Sequence, residues 1–346
     1  MREKVAVGMS GGVDSSVAAM LLRDAGYDVV GITLSLTPHS TESDAADAKR
    51  VADMLGIEHH TVDLRDVFHE TIIEPFCSCY LRGQTPNPCV LCNRTIKFVA
   101  MLQFAQSLGA QKIATGHYAQ TKREDGRTLL LRAQNRKDQS YFLCMLTQAQ
   151  LSAAVFPVAG YEKDDLRLLA ERAGLPVARK KDSQDVCFIP DNDYAAFLMH
   201  TCKTQPQPGD FVDTDGNVIG RHQGILHYTV GQRKGLGAFG KPMFVTQIDP
   251  IRNCVVLGEE GEQYAGGLVA DSLNWIAFDK PSEAFRCEVR IRFRAAPAPA
   301  TVTVRNETAC VVFDEPQRSV TPGQTVAFYD GDVVLGGGTI QSATEG

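Results

Sequence analysis

The segment Lys4-Val5-Ala6-Val7-Gly8-Met9, running straight into Ser10-Gly11-Gly12-Val13-Asp14-Ser15-Ser16, constrains the fold more than any other stretch of this chain. Residues 4–9 are apolar enough for a buried strand, and residues 15–25 carry apolar side chains at helical spacing up to Gly26. A strand that turns through two glycines into a helix aims backbone N–H groups and a helix N-terminus at one point, which favours an anion. Ser10, Ser15 and Ser16 add hydroxyl donors there. No lysine follows the glycines and no G-x-G-x-x-G occurs in the segment, so it is neither a Walker A loop nor a dinucleotide fingerprint. A bare S-G-G would read as a capped turn. The full S-G-G-V-D-S between strand and helix reads as a phosphate loop.

The rest of the first half repeats the alternation. Strands are expected at residues 29–36, 59–64 and 112–117, and helices over 44–55, 94–108 and 163–173. Continuous apolar strands separated by helices predict an α/β domain with a parallel sheet covered on both faces. At 203–209 the sequence KTQPQPG signals a linker, and beyond it the apolar period falls to two. The spacing of the last strands suits a small barrel or sandwich. Three domains are expected: 1–202, a small central one at 203–267, and a β domain at 268–346.

No apolar run approaches the roughly 20 residues of a membrane span, and the N-terminus has no signal-peptide core, so a cytoplasmic protein is expected. In that compartment the ten cysteines are not a disulfide framework. Cys144, Cys202, Cys254, Cys287 and Cys310 lie in or beside apolar runs and read as core filling. The formal net charge of −6 argues against a wholly basic surface but leaves room for local basic patches.

Two cysteine motifs carry more chemistry. Thr85-Pro86-Asn87-Pro88-Cys89-Val90-Leu91-Cys92-Asn93-Arg94 puts Cys92 near the expected start of a helix, close in sequence to Arg94 and Lys97, which should lower its thiol pKa. Cys187 lies in Lys181-Asp182-Ser183-Gln184-Asp185-Val186-Cys187-Phe188-Ile189. Spacing alone does not bring Cys92 and Cys187 together. Arg290, Arg292 and Arg294 alternate with Ile291 and Phe293, so on one strand they would share a face suited to phosphates or merely to solvent. Arg233 and Lys234, in a glycine-rich loop, are a second phosphate candidate.

The phosphate loop resembles that of the ATP α-hydrolases, which split ATP between the α and β phosphates. The ordered set T-P-N-P-x-x-x-C-N-R-x-I-K-F, T-G-H-Y-A (115–119), K-D-Q-S-Y-F-L (137–143), K-D-S-x-x-x-C-F-I (181–189), G-Q-R-K-G-L-G (231–237) and Y-D-G-D-x-V-L-G-G-G-T-I (329–340) resembles the bacterial tRNA-specific 2-thiouridylase family along nearly the whole chain. That resemblance implies an adenine nucleotide α-hydrolase domain, a central domain and a C-terminal, tRNA-contacting β-barrel. It implies ATP with Mg2+ as cosubstrate, adenylation of a wobble-uridine O2, and sulfur delivery from a Cys187 persulfide with Cys92 as nucleophile. A transient disulfide between those two follows from thiol exchange chemistry. By the same resemblance ATP contacts Gly8, Met9, Ser10, Gly11, Gly12, Val13, Asp14, Ser15, Leu34 and Gly116, and the target base meets Asn87, Pro88 and Cys89. The tRNA, of the Lys, Glu and Gln acceptor kinds, meets His117, Lys137, Asp138, Gln139, Arg292, Phe293 and Gln324. A sulfur-donor protein or persulfide relay is the other implied partner.

Cys89 departs from the family, where aspartate is common. Cys89, Cys92 and Cys187 could instead hold a [4Fe-4S] cluster, and Cys77 and Cys79 could join Cys89 and Cys92 around zinc, although C-x-C is poor zinc spacing. The alternatives are another ATP α-hydrolase, either a different tRNA thiolase or a lysidine-type ligase, which would not need two motif-embedded cysteines, and a nucleotide-sensing or RNA-binding module, which would leave loop and Cys92 idle.

Overall fold

The computed structural model describes residues 2–37, 41–180, 186–189 and 193–345. The motif residues Lys181, Asp182, Ser183, Gln184 and Asp185 lie outside the described residues. Two compact units emerge, one of Met1–Thr71, Cys89–Phe188 and Asp332–Leu335, the other of Ile72–Pro88, Ile189–Gly331 and Gly336–Gly346.

The first unit opens with β1 (Lys4–Gly8), α1 (Val13–Asp24), β2 (Asp28–Ser35), α2 (Thr41–Leu55), β3 (Glu58–Asp63) and the short α3 (Arg65–Phe68). After an excursion through α4 (Glu74–Leu81) of the second unit, it resumes with α5 (Pro88–Cys92) and α6 (Phe98–Ser107). Then come β4 (Lys112–Ala114), the hairpin β5 (Ala119–Glu124) and β6 (Arg127–Arg132), α7 (Gln148–Ala153), β7 (Ala154–Val155) and α8 (Lys163–Arg172). Five strands form one parallel sheet in the order β3-β2-β1-β4-β7. Val5, Val7, Val13, Val17, Val51 and Leu166 belong to its core, as expected for strands covered by helices.

In the second unit α9 (Tyr194–Thr201) precedes β8 (Gly209–Val212), β9 (Val218–His222), β10 (Phe244–Asp249) and β11 (Cys254–Gly258), a sheet of order β10-β11-β8-β9. Phe211, Tyr228, Val245, Val255 and Leu257 fill its core. The last strands are β12 (Tyr264–Trp275), β13 (Phe285–Arg290), β14 (Ala298–Arg305), β15 (Thr308–Arg318), β16 (Thr325–Asp330) and β17 (Val333–Thr344). They run β12-β15-β14-β13-β16-β17, and pairing of β12 with β17 closes them into a six-stranded barrel without free edges. The Asp332–Leu335 stretch belongs to the first unit, where Val333 and Val334 pair with β6.

Three sequence expectations are corrected. β13 ends at Arg290, so Arg290, Arg292 and Arg294 do not form a strand row. The helix expected from residue 94 begins six residues earlier, because Pro88 needs no amide partner at a first helical position. Cys310 alternates outward on β15 and is exposed rather than core.

Candidate active site

In the first unit the strand order reverses between β1 and β4, and such a switch point opens a crevice at the carboxyl ends of the strands. Gly8 ends β1, Leu34 stands near the end of β2, and Gly116 follows β4 by two residues. A Cβ on Gly116 would lie 2.7 Å from the Ser15 backbone nitrogen, so the two loops touch and only glycine fits. Met9 is pinned by its N–H to Ile32 O (2.8 Å), while Thr33 Oγ1 donates to Met9 O (2.7 Å). Gly11 has φ +69°, and a Cβ there would come within 2.4 Å of the Asp44 carbonyl oxygen. Gly12 caps α1 with no side-chain bond, which leaves the first-turn amides to an incoming anion. Ser15 Oγ accepts from the Ser10 amide (3.1 Å), but Ser16 Oγ donates to Gly12 O (2.8 Å) and is fully buried. Ser16 therefore shapes the turn and is no ligand donor.

Asp14 has partners that its motif does not reveal. Its Oδ1 accepts from Lys163 Nζ at 2.7 Å and from the Tyr118 hydroxyl at 2.8 Å. Lys163 opens α8 and is 8% exposed, so its ammonium is sunk beside the phosphate loop. A lysine in a helix's first turn opposes the macrodipole, and that misfit is the sequence signal of a tertiary partner. Behind the loop, Lys180 Nζ donates to Asp44 and Asp47, both at 2.7 Å. The bond from Lys180 holds the Asp47 carboxyl below its usual range.

The thiols gather elsewhere in the same unit. Cys89 and Cys92 are three apart on α5 and share a helical face. A single π-helical turn, Asn93–Lys97, then joins α5 to α6. Its i→i+5 winding returns Lys97 to the Cys92 face, where the Lys97 amide hydrogen-bonds to the Cys92 thiol. Burial opposes the Lys97 charge, but Cys92, Cys89 and Cys187 outweigh it and raise the pKa. All three thiols thus act on one ammonium. Burial likewise dominates at the thiols, despite the pull of Lys97: Cys92 is pushed up to about 11, and Cys89 and Cys187 are raised. The expected lowering of Cys92 is therefore wrong, because the residue closes α5 at 5% exposure instead of opening a helix. Cys187 keeps an exposed surface even though atoms crowd its sulfur. His117 Nδ1 shares a hydrogen bond with Thr115 Oγ1 (2.8 Å). Burial, then Lys97, drives its pKa down to about 3, so the imidazole is neutral at pH 7.

Comparison with known proteins bears on this arrangement. Three family models cover the chain: a tRNA methyl transferase HUP domain over residues 3–191, a tRNA methyl transferase PRC-barrel domain over 195–259, and an aminomethyltransferase β-barrel domain over 265–340. The tRNA-specific 2-thiouridylase MnmA of Clostridium acetobutylicum is 47% identical over 355 residues, covering 99% of this chain and 100% of the relative. Its namesake from Clostridioides difficile is 46% identical, with 99% of both chains covered. The chain belongs to the tRNA-specific 2-thiouridylase family.

Of the remaining residues expected from the resemblance to the 2-thiouridylase family, several turn inward. Asp138, 9% exposed, accepts from the amides of Ala133 and Ser140 (both 3.1 Å) and from the Ser140 hydroxyl. Gln139 Oε1 accepts from the Tyr118 amide, leaving Lys137 as the exposed member of that stretch. In the second unit Gln324 Nε2 donates to Thr85 O (3.0 Å) and Pro86 O (3.3 Å), steadying the loop that leads to Asn87 and Pro88. Arg292 Nη2 donates to Val230 O and Ser319 O, and Phe293 O accepts from Arg290. Cys77 contacts Cys202, and Arg82 Nη2 donates to Cys79 Sγ at 3.5 Å. Sequence reasoning names Lys97 as a cation beside Cys92 but does not find Lys163 and Tyr118, which bond Asp14.

Proposed function

We propose that this protein uses ATP to replace O2 of the tRNA wobble uridine with sulfur, and that it works in the cytoplasm. What supports the reading is the match to the 2-thiouridylases over 99% of the chain, together with Lys97, whose charge Cys92 and Cys187 of separate motifs both favour. The phosphate loop holds the triphosphate on the free amides of α1, with Lys163 adding positive charge where pyrophosphate leaves. Uridine O2 attacks the α phosphorus, and the bond to pyrophosphate breaks. Mg2+ enters with ATP, and Asp14, a hard oxygen ligand, has Oδ2 left for it.

Cys187, being exposed, receives sulfur from a donor protein as a persulfide. The Cys92 thiolate attacks Cys187 Sγ, the persulfide bond breaks, and the outer sulfur passes to C2 as AMP leaves with the former O2. A Cys92–Cys187 disulfide remains and needs a thiol reductant before the next turnover. Lys97 stabilises each thiolate in turn. Asn87, Pro88 and Cys89 receive the target base, and tRNAs of the Lys, Glu and Gln kinds are the substrates. Cys89, Cys92 and Cys187 are soft donors of the kind an iron–sulfur cluster takes. Yet a cation stands among them, and no group of three such residues is arranged to hold a metal among the described residues.

The test is mass spectrometry of the wobble nucleoside after incubation with tRNA, ATP and a persulfide donor, alongside pyrophosphate release and anaerobic iron analysis. 2-Thiouridine with stoichiometric pyrophosphate and no iron is expected. Absence of both products sinks the reading, and about four irons per chain, lost in Cys89→Ser together with activity, replaces the persulfide with a cluster.

A further inference from the structure

Cations of the second unit differ in whether they meet a carboxylate. Arg221, Lys241, Arg252, Lys280 and Arg286 each pair with a carboxylate. Arg233, Lys234 and Arg318 are exposed and, among the described residues, make no ion pair. Arg233 and Arg318 share one aromatic neighbour, and Lys234 follows Arg233 in the chain. The Arg233 guanidinium lies 6.0 Å from the centroid of the Phe244 ring and that of Arg318 lies 5.1 Å from the same ring. Phe244, on β10, is 1% exposed, so the two guanidiniums cover a fixed platform. Cation–π attraction at each contact offsets part of their mutual repulsion.

The loop that displays Arg233 and Lys234 is built in advance. The Gly231 amide donates to Val245 O (2.7 Å), and the Val245 amide returns a bond to Gln232 O (3.0 Å). Gln232 Oε1 accepts from the Thr229 amide and its Nε2 donates to Lys234 O. Gly231, at φ +89°, packs so tightly on Ser319 that a Cβ would meet Ser319 Oγ at 2.4 Å. Arg292 then ties the two segments together, bonding Val230 O (2.9 Å) on one side and Ser319 O (3.1 Å) on the other. Its guanidinium thus holds together the two chain segments that carry Arg233, Lys234 and Arg318.

We propose that Arg233, Lys234 and Arg318 form a phosphate-binding site for the RNA backbone, and that Arg292 is its positioning residue. The proposal rests on the tRNA reading above. Guanidiniums suit phosphate because their donors fork to match its oxygens, and exposed cations without ion pairs among the described residues are poised to displace counterions from a polyanion.

Substrate tRNA binding measured by fluorescence anisotropy across a salt series tests it. Each of Arg233→Gln, Lys234→Gln and Arg318→Gln should lower the slope of log Kd against log salt by about one. Arg233→Lys and Arg318→Lys should keep the slope, which preserves the test if a Gln variant folds poorly, and Lys280→Gln, a paired cation, should leave it unchanged. Added to the triple Gln variant, Arg292→Gln should remove no further slope. A further drop of about one would make Arg292 a phosphate contact in its own right and overturn its positioning role. Wild-type slopes in the Gln variants of an enzyme that still thiolates tRNA overturn the patch while the function stands. A raised KM for ATP with an unchanged tRNA slope overturns it in favour of a nucleotide site. A wild-type protein that neither binds nor thiolates tRNA overturns the functional reading itself.

Discussion

Asp14→Ala removes more than a ligand of the phosphate loop. The Lys163 side chain is 10% exposed and that of Asp14 29%, with Nζ 2.7 Å from Oδ1. Deleting the carboxylate takes from a sunken ammonium the oxygen at 2.7 Å and from the Tyr118 hydroxyl the acceptor at 2.8 Å. Breaking a buried pair from one side costs about 3–5 kcal/mol, and the partial exposure of Asp14 places this case near 3. For a unit of this size that lowers Tm by about 6–12 °C. Lys163→Met alone should cost less, because Asp14 can turn to water and keeps Tyr118. The double variant should recover most of the stability, since neither charge is then left alone, but none of the activity. Thermal unfolding followed by circular dichroism reads the first effect, and tRNA-dependent pyrophosphate release reads the second. If Asp14→Ala melts within about 1 °C of wild type, or releases pyrophosphate normally, the pair is neither structural nor catalytic and the reasoning fails.

Gly11→Ala should abolish pyrophosphate release, because its Cβ would collide with the Asp44 carbonyl in a left-handed backbone, and a normal rate would refute the close approach. Cys92→Ser and Cys187→Ser should each stop 2-thiouridine formation yet keep ATP-dependent adenylation, read by pyrophosphate release; loss of adenylation would place the thiols in the first step instead. With its pKa pushed up to about 11, Cys92 should alkylate with iodoacetamide about tenfold faster per pH unit from 7 to 10, and a plateau near neutrality would refute the dominance of burial. His117, with its pKa depressed to about 3, stays neutral between pH 5 and 8, so nitrogen-15 NMR should show no titration of its ring in that window, and a midpoint near 6.5 would mean it is solvated.

What the sequence discloses and what it hides divide along the range of the interactions involved. The strand at Lys4–Gly8, the glycine turn and α1 are local features, and local spacing gives all three. The π turn at Asn93–Lys97 is not local: Asn93 is buried with its side-chain amide on Phe142 O, and Gln150 Nε2 reaches Arg94 O, so the winding is set by residues some 50 positions away. Periodicity cannot see that, and so it misplaces Cys92 at a helix start and reverses the direction of its pKa. Arg292 fails for the same reason in another guise. Its alternation with Ile291 and Phe293 is real, but β13 stops at Arg290, and carbonyls at residues 230 and 319 decide where the guanidinium points. Lys163 is the instructive middle case. A cation in the first turn of α8 contradicts local electrostatics, and the contradiction is visible without a structure. Only the partner, Asp14 at a separation of 149 residues, is not. A charge that offends its own helix is therefore worth reading as half of a site whose other half lies elsewhere in the chain.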